Sequence, residues 1–291
     1  LNESGVGIDI GQSGGYLIDR FKVMGDRRRM QLSLVSDKKI LSISRRTDPA
    51  WFPEKFCRVL QEKYPPERVH SIVIWTKHPA VLLQKPYRDL LSKYDQLYIH
   101  LTVTGLGGTE IEPNVPNYKD ALSTIPDLCA FVGSPDRLRL RPDPLIRVRK
   151  NGKVIDNLER AMEIVQLSCS CGIRNFSTSF CSPYPKVVQR LARHGFTLLS
   201  YSTEMQMEIL NMLKKSSGQG VVHACCIPGA PVSRCIDGEL LSRLHPQKEQ
   251  CTTAKAKNQR ELCGCTFSID LGWYAMTCKS GCLYCYANPD Q

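Results

Sequence analysis

The sequence predicts an α/β protein built as a (β/α) barrel or partial barrel, and three observations predict it. Apolar, β-branched runs recur along the chain, helix-like segments separate most of them, and proline or glycine marks many of the junctions. Strands alternating with helices are the pattern of parallel βα units, because parallel neighbours need a crossover long enough to hold a helix. Seven or so such units suit a closed or partial barrel better than an open doubly wound sheet. No internal repeat is evident.

The strand-like runs fall at 40–44, 71–76, 97–104, 138–146, 175–180, 221–224 and 267–271. The helix-like segments fall at 54–62, 80–93, 118–131, 158–168, 185–194, 204–214 and 238–244. Pro53 and Pro79 stand where helices begin, since a first-turn residue has no backbone hydrogen bond to lose, and Gly195 stands where one ends. Residues 1–36 are expected to form an extension that packs on the main domain. Their Gly7-Ile-Asp-Ile-Gly11 stretch imitates a phosphate loop without its Gly-Lys-Ser/Thr. Residues 37–262 are expected to be the barrel-like domain, and 263–291 a cysteine-rich segment completing its rim.

Composition narrows the function classes. Hydrophobic residues make up 42% of the 291 and charged residues 23%, ordinary values for a globular domain. No apolar run approaches about 18 residues, so no membrane-spanning helix is expected, and no signal peptide is visible. The net charge of +11 fits an anionic partner such as nucleic acid. A solvated basic surface is the alternative, with part of the charge in the run Arg27-Arg28-Arg29. Of 14 cysteines, nine lie in the last 67 residues. A disulfide scaffold spreads its cysteines through a small secreted chain, so this clustering points to a metal or cluster in a reducing compartment, cytoplasm or organelle matrix.

Polar residues gather where the strands end. The first strand runs into Arg45-Arg46-Thr47-Asp48, the second ends Trp75-Thr76-Lys77, and the third ends Thr102-Val-Thr104-Gly105. In the fourth, Arg137, Arg139 and Arg141 alternate with leucines and so share one strand face, with Asp143 following. That face suits a carboxylate or phosphate, or an internal pair of arginine with Asp143 or Asp48. The sixth ends His223-Ala-Cys225, where the histidine is a ligand, a proton donor or a structural residue. The other histidines give no pattern. In a barrel one rim collects all these ends, and that rim carries the catalytic groups.

The strongest local signal is Cys278-Lys-Ser-Gly-Cys282-Leu-Tyr-Cys285-Tyr-Ala-Asn. Three thiolates at these spacings can wrap one cubane and leave its fourth iron without a protein ligand; structural zinc wants four closed ligands. Gly281 allows the tight backbone. A second constellation joins Cys263 and Cys265, bent about Gly264, with Cys235 and Cys225. It reads as an auxiliary iron–sulfur cluster, a structural zinc site or buried free thiols. Cys57, Cys129, Cys169, Cys171, Cys181, Cys226 and Cys251 read as core or incidental.

The terminal box resembles the cluster motif of the radical S-adenosylmethionine (SAM) enzymes, Cys-x3-Cys-x2-Cys with an aromatic before the last cysteine, here Tyr284. Its Gly-Cys-Leu-Tyr-Cys-Tyr-Ala looks like the box of the spore-photoproduct-lyase-like members. The resemblance implies a [4Fe–4S] cluster on Cys278, Cys282 and Cys285. Its fourth iron would chelate the amino and carboxylate groups of SAM, whose reductive cleavage gives a 5′-deoxyadenosyl radical. That superfamily's box follows the first barrel strand, whereas here it follows the last, so a circularly permuted barrel is needed to reconcile the two. The superfamily's Gly-Gly-Glu element has no convincing copy, Gly107-Gly108-Thr109-Glu110 carrying an extra residue. Over about 38–288 the chain also resembles an uncharacterised domain-of-unknown-function family. That likeness rests on Ser42-Ile-Ser-Arg-Arg-Thr-Asp48, Trp75-Thr-Lys77, Thr102-x-Thr-Gly105, Glu112-Pro-Asn-Val-Pro116, Arg141-x-Asp-Pro144, Cys235-Ile-Asp-Gly-Glu239, Asn258-Gln-Arg-Glu261, Cys263-x-Cys265 and the terminal box.

The expectation is a radical SAM-like enzyme. Tyr284 and Thr104 would bind the cofactor, and Arg45, Arg46, Asp48, Lys77, Arg141 and Asp143 would bind SAM or an unknown substrate. The alternative is a non-catalytic iron–sulfur or zinc module in a larger assembly, one that could include nucleic acid.

Overall fold

The computed structural model describes residues 36–272 and 276–290. The glycines and arginine run of the expected N-terminal extension lie outside the described residues. In chain order the elements are β1 (Lys39–Ile43), α1 (Pro53–Lys63), β2 (Val69–Thr76), α2 (Pro79–Leu82), α3 (Tyr87–Leu91), β3 (Leu97–Thr102), α4 (Tyr118–Ser123) and α5 (Ile125–Val132). There follow β4 (Leu138–Arg141), β5 (Arg147–Lys150), β6 (Lys153–Asp156), α6 (Leu158–Ser170), β7 (Asn175–Thr178) and α7 (Pro185–Arg193). The chain continues through β8 (Thr197–Leu198), α8 (Thr203–Ser216), β9 (Val221–Ala224), α9 (Gly238–Leu244) and β10 (Ile269–Asp270).

Seven strands form one sheet in the order β10-β1-β2-β3-β4-β7-β9, and every neighbouring pair is parallel. The last strand therefore lies beside the first, with Leu41 opposite Ile269 and Ser42 opposite Asp270. Among the described residues no pairing joins β9 to β10. The result is a mostly parallel α/β sheet compatible with a partial barrel.

Both faces of the central strands are covered, which is why β2 and β3 read as continuous apolar runs instead of alternating ones. On one face Leu41, Ile72, Ile74, Ile99 and Leu140 meet Phe56 and Leu60 of α1, Leu128 of α5 and Ile164 of α6. Each such side chain contributes about 1.5–3 kcal/mol on burial. On the other face Ile40, Val73, Trp75 and Tyr98 meet Ile236, Leu241, Cys251, Cys263 and Cys265, so the segment before β10 fills the inner side of the sheet.

Three expected elements differ. The segment 80–93 divides into α2 and α3 about Pro86, which has no N–H to continue a helix. The segment 118–131 divides at Thr124, ahead of Pro126. The run 138–146 stops at Arg141, before Pro142 and Pro144. Arg147 then opens a separate antiparallel sheet, β6-β5-β8. Its hairpin turns on Asn151 and Gly152, φ 50° and 76°, the two positive φ values of a type I′ turn.

Candidate metal centre

The terminal box leaves β10 at the C-terminal end of the sheet and is held there by the loop after β1. Leu271 N–H donates to Ser42 O at 2.8 Å, and Arg46 Nη1 reaches Asp270 Oδ2 at 2.8 Å and Gly272 O at 3.1 Å. Gly272 is required because a Cβ there would stand 2.1 Å from Ser44 Oγ. The two ends of the box are tied together: Cys278 N–H donates to Asn288 O at 2.8 Å, and Asp290 N–H to Cys278 O at 2.7 Å. Between them Leu283 N–H donates to Ile111 O at 3.0 Å, and Arg190 Nη1 donates to Leu283 O (3.1 Å) and Cys285 O (2.6 Å). Gly281 turns the loop at φ +66°, with Pro113 Cγ 3.0 Å from where a Cβ would stand.

Cys278 and Cys282 are buried and Cys285 is partly so. Burial pushes the Cys282 and Cys285 thiols up, while Lys77 beside the first and Arg190 beside the second act the other way. A metal bound here must displace protons, and these cations favour the thiolates that it needs.

Tyr284, inside the box, seats on a buried polar network at the ends of β2 and β3. Lys77 Nζ donates to Glu112 Oε1 at 2.8 Å and lies 2.9 Å from the Tyr284 hydroxyl, which itself donates to Glu112 Oε1. Thr104 Oγ1 donates to the second Glu112 oxygen at 2.7 Å. Glu112 is fully buried. Burial works against the Lys77 ammonium, yet Glu112 and Cys282 outweigh it and the pKa is raised. Burial, then Glu112, pushes the Tyr284 hydroxyl far above its ordinary value, so it stays a donor.

The other expected rim residues hold this arrangement together. Asp48 accepts from Ala50 N–H (3.1 Å), Thr76 Oγ1 (2.9 Å) and Lys77 N–H (2.7 Å), capping one turn and joining the ends of β1 and β2. Arg45 places its guanidinium 5.9 Å from the Trp75 ring centre, and its carbonyl accepts from Tyr286 Oη at 2.5 Å. Arg141 pairs with Asp143, whose other oxygen accepts from Ser179 Oγ at 2.5 Å. The three arginines of the fourth strand do not act as one face: Arg137 bonds Val132 O and Leu244 O, and Arg139 is buried against Arg234 O. Glu110 is half exposed and pairs with Lys150. Burial lowers His223 to about 4, so it is a neutral imidazole near pH 7.

Three contributors, Glu112, His78 and Trp51, were not singled out as site residues in the sequence. Glu112 lies in a proline-flanked loop, and its signal was the motif Glu112-Pro-Asn-Val-Pro116. His78 Nε2 and Trp51 Nε1 both meet Ser280 Oγ of the box at 2.9 Å. Among the described residues Asp95, His245 and Glu249 also bring ligand atoms within 4.8 Å of one another, but Lys38 Nζ bonds both carboxylates (3.4 and 2.8 Å) and supplies the counter-charge.

The strand-end motifs and the terminal box belong to one continuous family match, residues 40–287. The chain belongs to the domain of unknown function family DUF1848. No curated protein matches it. Among solved structures this DUF1848 chain is similar to Streptococcus suis SuiB bound to the precursor peptide SuiA, at 11% identity and TM-score 0.36 over 77% of this chain and 57% of that one. It is similar also to SuiB bound to S-adenosylmethionine, at 12% identity and TM-score 0.35 over 75% and 57%. A third likeness is the carboxyl transferase domain from Rhizobium etli pyruvate carboxylase, at 11% identity and TM-score 0.24 over 86% and 49%. The chain spans a little over half the length of the SuiB chains. Among the described residues no helix is long and apolar enough to cross a membrane.

Proposed function

We propose that the chain is a radical SAM-type iron–sulfur enzyme, with its cluster on Cys278, Cys282 and Cys285 and with SAM and substrate bound beside it on the rim. The observation that carries this reading is the seating of Tyr284, between two box cysteines, on the Lys77–Glu112–Thr104 network. That contact puts the thiols among the polar strand ends, where a (β/α) architecture keeps its chemistry. The donor set fits the group: three soft thiolates, two neighbouring cations and backbone N–H donation from Ala287 to Cys285 Sγ at 3.3 Å. The adjacency of β10 and β1 supports a permuted barrel, because the box then follows a strand that lies at the start of the sheet order.

Cys278, Cys282 and Cys285 would hold the cluster, which would supply an electron from an external reductant for reductive cleavage of SAM. The chain's own residues position and shield. Tyr284 and Thr104 would line the cofactor side, and Arg141 and Asp143 would meet the carboxylate and the ammonium of SAM in place of the missing Gly-Gly-Glu. Asp48, Arg45 and Arg46 pin the loop that grips the box.

A second reading, a non-catalytic cluster module, is favoured by the internal pairing of Lys77 with Glu112 and of Arg141 with Asp143. One experiment separates the two. Anaerobically reconstituted protein is mixed with SAM and dithionite, and 5′-deoxyadenosine and methionine are quantified. The enzyme reading requires equimolar release of both; a full cluster that cleaves no SAM gives way to the module.

A further inference from the structure

A second set of thiols lies on the inner side of the sheet, away from the terminal box. Cys225 and Cys226 follow β9, Cys235 precedes α9, and Cys263 and Cys265 flank Gly264. Cys226, Cys235, Cys263 and Cys265 pack in one cluster, and with Cys225 the thiols form a ring in which each perturbs its neighbours' pKa: Cys225 with Cys235, Cys235 with Cys265, Cys265 with Cys263, Cys263 with Cys226, and Cys226 with Cys225.

The backbone is built to present all five. Cys226 holds φ +54°, a conformation that side chains other than glycine adopt rarely. Strand alternation would turn Cys226 away from Cys225, and this backbone brings it back to the same ring. Gly264 cannot carry a side chain, since a Cβ would stand 2.7 Å from Val232 Cγ1. His100 Nε2 holds Cys235 O at 2.7 Å, and Cys235 N–H donates to Cys265 Sγ at 3.2 Å. Cations face the ring: Arg260 Nη2 reaches Cys225 Sγ at 3.4 Å, and the buried Arg141 guanidinium faces Cys225 and Cys235. Cys251 stays outside, its thiol bonded to Gly238 O at 3.3 Å.

We propose that this ring is a second metal centre that binds a [4Fe–4S] cluster through four of its five thiolates. The thiol count favours a cluster over a single zinc ion, since zinc takes four ligands and five thiols gather here. Enough thiolates are present to close every iron of a cubane. This centre therefore has no open position for SAM.

The test is iron and sulfide stoichiometry in the full chain after anaerobic reconstitution. The unsubstituted chain is expected to bind about eight iron and eight sulfide. The variant carrying Cys278→Ala, Cys282→Ala and Cys285→Ala should keep about four of each, with a reduced-state EPR signal that SAM does not shift. Adding Cys235→Ser, Cys263→Ser and Cys265→Ser to it leaves the ring two thiols and should remove that remainder. In the chain with an intact box, the Cys235→Ser/Cys263→Ser/Cys265→Ser variant alone should lose about four iron and keep the SAM-responsive signal. Stoichiometric zinc without sulfide in the box-triple variant, no iron in that variant, or unchanged iron in the Cys235→Ser/Cys263→Ser/Cys265→Ser variant would each overturn the proposal. Loss of the box cluster alone leaves it standing, so failure of the enzyme reading and failure of this one are told apart.

Discussion

Truncating Glu112 to alanine should destabilise the protein out of proportion to the size of the side chain removed. The carboxylate is fully buried and accepts from Lys77 Nζ at 2.8 Å, Thr104 Oγ1 at 2.7 Å and the Tyr284 hydroxyl. Removing it leaves the ammonium of Lys77, whose side chain is only 15% exposed, with a neutral phenol as partner. Breaking a buried pair from one side costs about 3–5 kcal/mol. Against a total stability of about 5–15 kcal/mol that is a large fraction. At roughly 2–4 °C per kcal/mol for a chain of this size, the melting temperature should fall on the order of 10 °C. The double variant Lys77→Met/Glu112→Leu should recover most of the loss, because replacing both charges by apolar groups removes the unpaired ion. Anaerobic thermal melts and a double-mutant cycle measure this, with iron content read in parallel since Tyr284 precedes Cys285. If Glu112→Ala costs less than about 1 kcal/mol, a range typical of exposed pairs, the network is solvated and the reasoning fails.

Two further outcomes follow from local geometry. Gly281→Ala places a Cβ 3.0 Å from Pro113 Cγ at φ +66°, which should cost about 1–2 kcal/mol and lower iron retention during gel filtration; full retention with an unchanged melt contradicts the loop geometry. Burial holds His70 and His245, their rings tilted with centres 4.3 Å apart beside Lys38, Asp95 and Glu249, below their ordinary pKa. Below about pH 6.5 the unfolded chain binds protons there that the folded chain does not, so stability rises with pH through that window and falls on acidification. Urea midpoints at pH 7 and pH 5 check the sign, and an NMR titration of the two imidazoles should place both below the ordinary histidine range.

The central strands β2 and β3 were legible because both their faces are buried and each run is apolar and rich in β-branched residues. The small sheet was not legible in the same way. β6 is exposed along its whole length and carries no hydrophobic pattern, and only Asn151-Gly152 announces its hairpin. Strand ends marked residues that the fold brings near the terminal box, but not what each touches. Asp48 and Arg46 brace the backbone, and Glu112 meets Lys77 from 35 residues away, a partnership that spacing along the chain does not encode. Arg139 looked like part of a binding face because alternation assigns a side but not whether that side is open to solvent; the 235–265 segment covers it. Cys226 read as incidental for a related reason, since alternation turns it away from Cys225 and only its positive φ turns it back.

The central claim is that the terminal box binds an iron–sulfur cluster with one iron left open. The most direct measurement compares iron, sulfide and the reduced EPR spectrum, with and without SAM, in the reconstituted chain and in its Cys282→Ala variant. The variant should carry about four fewer iron per chain, because two thiolates hold a cubane poorly, and should lose the spectral shift that SAM induces in the unsubstituted protein. Equal iron content in the two proteins, or zinc at the box in place of iron and sulfide, would contradict the account.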